Sequence, residues 1–160
     1  MPPEHPPVDP DVDLHVPRQR AELRGGTATL LAAVALGGMV GAVLRHGLAL
    51  AFPHSPGGFP WATFAVNVSG CLLIGVLMVL ITEVRAAPRL VRPFLGVGVL
   101  GGYTTFSTYA VEVQQAIAVG ATRTALLYLA ATLVAALTAV RVGLTLTRMA
   151  TGARRLRSSG

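Results

Sequence analysis

The sequence predicts an all-α membrane protein of one compact domain, with four transmembrane helices. Three observations predict it. Of 160 residues, 52% are hydrophobic and 12% are charged, about half the charge of an ordinary soluble domain. Mean hydropathy is +0.62. The apolar residues gather into runs close to the roughly 20 residues that a bilayer asks of one helix.

Residues 1–24, MPPEHPPVDPDVDLHVPRQRAELR, are rich in Pro and Asp and lack an apolar face. They are expected to form a disordered tail. Acids and prolines precede the first apolar run, which argues against a signal peptide. His5 and His15 lie among carboxylates, but nothing else there would hold a metal site together. The first span is expected over 25–51, with an uncharged stretch ended by Arg45. The second covers 60–81 and opens on Trp61, which suits an interfacial aromatic belt. The third covers 92–119 and contains GGYTTFSTY, residues 101–109. The fourth covers 122–147 and completes a domain over 25–147. Residues 148–160 form a basic C-terminal tail. FPHSPGGFP and EVRAAPRLVR are the longer connectors.

Four spans put both termini on one side. Arg18, Arg20 and Arg24 share that side with Arg85, Arg89 and Arg92, and with Arg148, Arg154, Arg155 and Arg157. Arg141 lies near the same end. The opposite side has Arg123, with Arg45 near the end of the first span. Arginine excess marks the cytoplasmic face, so both termini are expected in the cytoplasm of a multi-pass plasma-membrane protein. The net charge of +6 is read as lipid-facing arginine, not as a nucleic-acid surface.

No enzyme signature is present: no intramembrane His pair, Cys cluster, nucleophile elbow or paired carboxylates. Glu83 and Glu112 fall near span ends, a whole span apart. Cys71, the one cysteine, lies in an apolar run and reads as a small core side chain. The polar groups inside the spans are mostly neutral. Thr63, Asn67 and Ser69 lie in the second, Tyr128, Thr132 and Thr138 in the fourth. They read either as interhelical hydrogen bonds or as a hydrated path. Gly37 and Gly41 have the spacing of close helix packing. Arg45 reads either as a snorkelling side chain or as a cation near a pore mouth that draws anions.

GGMVGAVLRHG in the first span, TFAVNVSGCLLIG in the second and GGYTTFST in the third together resemble the Fluc (CrcB) fluoride channels. The matching positions are Gly37, Gly38, Gly41, Ala42 and Arg45, then Thr63, Val66, Asn67, Gly70 and Gly75, then Gly101 through Thr108. The resemblance covers about residues 28–147. It implies an antiparallel, dual-topology dimer whose third helices break mid-span and cross at the centre. It implies a structural sodium ion there, on the backbone carbonyls of Gly101 and Thr104. It implies passive, fluoride-specific conduction that exports cytoplasmic fluoride and lowers its toxicity. The pore residues it assigns are Asn67, Phe106, Ser107, Thr108, Tyr109, Tyr128 and Thr132, with Arg45 from the first-span motif.

The residues suit this role on physical grounds. Paired glycines accept the dihedrals a helix break needs, and a break frees oxygens suited to a hard cation. Aromatic ring edges are electropositive, so with amide and hydroxyl protons they replace part of an anion's hydration shell. Two positions depart from the family. Tyr109 stands where it has a second phenylalanine, adding a hydroxyl that would block the path or donate to fluoride. Ala136 stands where the polar track of the fourth span often has a hydroxyl. With the lopsided arginines, these suggest a heterodimer with a paralogous subunit of opposite orientation, one pore being degenerate. Two other classes compete. A proton-coupled exporter of the small multidrug resistance type needs a first-span carboxylate, and 25–51 has none. A non-transporting membrane subunit predicts that Phe106 and Asn67 are replaceable.

Overall fold

The computed structural model describes residues 17–84 and 88–152, with side-chain surroundings from 26 onward. Helix α1 runs Pro17–Ala51. It therefore takes in residues 17–24 of the expected tail. Proline suits a first helical position, where its missing N–H costs no bond, and the Ala, Glu, Leu and Arg that follow are good helix formers. The rest of that tail, Arg85 and the C-terminal 153–160 lie outside the described residues. With 35 residues, α1 is about 50 Å long and overshoots a hydrocarbon core of about 30 Å.

Helix α2 runs Trp61–Val79 and widens into a π-helical stretch at Leu80–Val84. Its buried residues, Ala62, Thr63, Val66, Gly70, Gly75 and Val79, recur at helical spacing along one face. A second π-helical stretch, Arg92–Val99, leads into α3, Leu100–Tyr103. Residues 104–106 are not helical; Thr104 is extended, at φ −76° and ψ 157°. Helix α4 covers Ser107–Ala118, and α5 covers Thr122–Thr151. Helix α5 thus takes in residues 148–151 of the expected C-terminal tail. It stops where Gly152 turns left-handed at φ 66°, a conformation only glycine enters freely.

The packing is inside-out relative to a soluble bundle. Leu31, Val43 and Leu50 on α1 and Leu126, Leu133 and Leu137 on α5 are exposed, while much of the core is Ala, Gly and Thr. That pattern fits lipid outside and close helix contacts inside. Among the described residues, Gly26–Ala51, Trp61–Val84 and Thr122–Thr151 are long and apolar enough to cross a membrane. The run from Arg92 to Ala118 is interrupted at 104–106, and neither part reaches that length alone.

Two glycine seams set the helix spacing. Helix α1 lies against 92–103, and a Cβ on Gly41 would strike the Val99 carbonyl and the Tyr103 amide. A Cβ on Gly102 would strike the Gly38 carbonyl in return. Gly75 and Gly143 bring α2 and α5 together in the same way. This corrects the dihedral argument for the paired glycines. Neither Gly101 nor Gly102 has positive φ, and both lie inside α3. Gly102 permits close approach to α1, and the helix ends only after Tyr103. Glu83 and Arg148 meet at 2.6 Å across α2 and α5. Their side chains are about one-third exposed, so the pair fixes geometry more than it adds stability.

Candidate functional site

The interruption at 104–106 is held from the side by Asn67 of α2. Its Nδ2 donates to the Thr105 carbonyl, and its Oδ1 accepts from the Thr105 N–H, each at 2.9 Å. One amide therefore replaces both helical partners of one residue. The Thr108 N–H in turn donates to Thr105 Oγ1 at 3.2 Å, starting α4. In an unbroken helix the Thr105 and Thr108 amides would close on the carbonyls of Gly101 and Thr104. Both amides are used elsewhere, and among the described residues no amide of Phe106 or Ser107 closes on Gly102 or Tyr103, so the carbonyls of residues 101–104 are all released from helical duty, Gly101 and Thr104 among them.

Two cavities meet at Thr105. The first, about 520 Å³, is lined by Asn67, Thr105, Phe106, Tyr109, Thr132 and Ala136 among others. Phe106 is 79% exposed, and its ring stacks obliquely on Tyr109, centroids 5.8 Å apart. Tyr109 meets Tyr128 edge-on at 5.1 Å. The Tyr109 hydroxyl donates to the Leu129 carbonyl at 2.9 Å. Its proton is committed to α5, while its ring still lines the cavity. The buried Thr132 Oγ1 has no hydrogen-bond partner among the described residues. Cys71 is half-buried in the same wall.

The second cavity, about 470 Å³, lies towards the α1–α2 connector. Arg45, His46, His54, Thr63, Thr108 and Glu112 line it. Glu112 is its centre. Its Oε1 accepts from Thr63 at 2.7 Å, its Oε2 accepts from Tyr128 at 2.7 Å, and His54 Nε2 lies 3.3 Å from Oε1. Glu112 is buried, and paired hydroxyl donors are what a buried carboxylate needs.

The structure thus brings Asn67, Phe106, Tyr109 and Thr132 to one cavity and Arg45 and Thr108 to the other. Tyr128 bridges them, with its ring on Tyr109 and its hydroxyl on Glu112. Ser107 is exposed at the start of α4, its Oγ 3.3 Å from Thr105 Oγ1. Sequence reasoning passed over Glu112, His54 and Thr105. Thr105, Thr108 and Glu112 have i, i+3, i+7 spacing, which places them on one helical face. That signal was legible. The partners Thr63, Tyr128 and His54 come from distant segments and carried none.

Glu112→Gln puts an amide N–H₂ against one of two hydroxyl donors. It is expected to cost about 1–3 kcal/mol of stability, read as a lower melting temperature of the detergent-solubilised chain. An unchanged melting temperature would mean that the hydroxyl pair is not held as described.

Comparison with known proteins follows the same residues. The profile of a family described as "CrcB-like protein, Camphor Resistance (CrcB)" matches residues 32–144. Fluoride-specific ion channel FluC 2 of Streptomyces avermitilis is 55% identical over 78% of this chain and 79% of its own. FluC 1 of Streptomyces coelicolor is 58% identical over 77% and 82%. FluC 3 of Streptomyces avermitilis is 46% identical over 86% and 66%.

Proposed function

The chain belongs to the CrcB family, and from that premise we propose how it works as a fluoride-specific ion channel of the membrane. It is not an enzyme; its task is passage. The observation that carries the mechanism is the Asn67 clamp on Thr105. It ends one helix and starts the next at a depth where irregular backbone is tolerated only beside protein or a hydrated site. The run from Arg92 to Ala118 then makes a fourth, broken span.

Fluoride passes along the cavity walls. The edges of Phe106 and Tyr109 offer partial positive charge without a full cation. The Thr132 hydroxyl, without a partner among the described residues, and the second N–H of Asn67 donate to the anion in place of water. Thr108, Ser107 and Tyr128 continue the polar lining towards Glu112 and Arg45. Neutral donors hold fluoride weakly enough for it to leave. Flux is passive and drains cytoplasmic fluoride.

A structural sodium ion fits the carbonyls of Gly101 and Thr104, which are released from helical bonding and offer oxygens to a hard cation. It would supply a fixed positive charge where two antiparallel copies of the break meet. The arginine asymmetry favours a fixed orientation, termini inside, and so a distinct partner of opposite orientation. Streptomyces avermitilis has both a FluC 2 and a FluC 3 among the relatives, which suits paired subunits. Tyr109 supports this less than the arginines do, since Leu129 holds its hydroxyl. Strong fluoride efflux from liposomes that contain this chain alone would overturn the unequal pair.

Thr132→Val separates function from packing. It removes a buried hydroxyl with no partner among the described residues and keeps the shape, so stability is expected to stay level or rise by about 1 kcal/mol. Fluoride efflux is expected to fall. Loss of stability together with unchanged efflux would make Thr132 a packing residue.

A further inference from the structure

The contact between His54 and Glu112 is one that the conduction mechanism above does not use. His54 lies on the α1–α2 connector, and both ring nitrogens face acceptors. Nδ1 lies 3.0 Å from the Ser55 carbonyl, which only accepts, so Nδ1 carries hydrogen. Nε2 lies 3.3 Å from Glu112 Oε1, which already accepts from Thr63 at 2.7 Å. A neutral imidazole protonated at Nδ1 would set a lone pair against a carboxylate. The contact is attractive only when one further proton lies between Nε2 and Oε1. The pair therefore closes on binding a proton.

We propose that His54 is a proton-dependent latch on Glu112 that makes fluoride entry faster in acid at this end of the pore. The inference rests on the channel reading. An unneutralised Glu112 beside the anion path repels fluoride; a proton shared with His54 removes that repulsion. Other charged or titratable groups face the same cavity: Arg45 and His46 from α1. Tyr128 of α5 reaches Glu112, and Thr63 of α2 is neutral. Arg45 is positive throughout and gives no response. His46 lines the cavity, and among the described residues no hydrogen bond joins it to Glu112, so it serves as the control.

Two measurements test this. The first records fluoride current across planar bilayers at equal pH on both sides, using the assembly that conducts in liposomes. Current is expected to rise about threefold from about pH 8 to about pH 5.5, the effect of one unit charge on a nearby anion's local concentration in hydrated surroundings. His54→Gln and Glu112→Gln should flatten the profile, while His46→Gln keeps it. The second follows the His54 ring nitrogens by NMR in the full chain, where Glu112→Gln should shift the titration. The latch is overturned if His54→Gln keeps the wild-type profile, or if the His54 titration ignores Glu112. Absence of current at every pH, with the titration still coupled to Glu112, overturns the channel reading and with it the effect on entry, and leaves only the shared proton between His54 and Glu112.

Discussion

Asn67→Ala is expected to lower fluoride efflux from proteoliposomes by roughly thirtyfold. The figure follows from two lost hydrogen bonds to Thr105 at about 1 kcal/mol each, with tenfold for every 1.4 kcal/mol. Without the clamp, the Thr105 amide can return to the Gly101 carbonyl and the helix can close through the break. Asn67→Asp is expected to do no better. It keeps the acceptor for the Thr105 N–H but sets a carboxylate oxygen against the Thr105 carbonyl. Phe106→Ile keeps apolar volume and removes the ring edge, so efflux falls while the chain still folds. Wild-type efflux in both Asn67→Ala and Phe106→Ile would mean that neither residue shapes the conduction path.

The second large effect falls on folding. Gly41→Ala is expected to abolish the folded chain, because its Cβ would meet backbone atoms of Val99, Gly102 and Tyr103. Backbone cannot swing aside as a side chain can, and overpacking by one methyl costs about 1–3 kcal/mol even where neighbours yield. Gly38→Ala, three residues earlier, has open space for its Cβ. It is expected to be neutral or to add about 0.5–1 kcal/mol through helix propensity. Size-exclusion profiles and melting curves of the two variants read this directly. Equal behaviour would mean that α1 does not lie against 92–103 as described.

The contrast between these glycines shows what the sequence could carry. Spacing marked Gly37 and Gly41 as a packing face, and the structure uses them so. It also suggested that Gly101 and Gly102 provide dihedral freedom, and there the local pattern misled. Gly102 serves close approach to Gly38, a contact over 64 positions that no window of sequence displays. The apolar parts of the helices were legible because apolar runs encode them; the start at Pro17 was obscured because residues 17–24 are mostly arginine and other polar residues with no apolar face.

The candidate site divides in the same way. Asn67, Phe106 and Thr132 were legible from motif and resemblance, and they line one cavity. Glu112 was set aside because it lies near a span end with no acidic neighbour. Its surroundings are made by a connector, by α2 and by α5. Burial of a carboxylate is a property of the packed molecule, and so is the imidazole that faces it. The role of Tyr109 also depended on the fold: sequence left its hydroxyl either blocking or donating, and the Leu129 carbonyl takes it up.

The most direct test loads liposomes with fluoride and chloride together. The full chain is reconstituted alone and, as the proposed unequal pair requires, beside a paralogous FluC subunit of opposite arginine bias, and both anions are followed by electrode. The account predicts that fluoride drains while chloride stays at the protein-free rate, and that the paired preparation is the faster. Fluoride leaving neither preparation faster than empty liposomes, or chloride leaving as fast as fluoride, would contradict it.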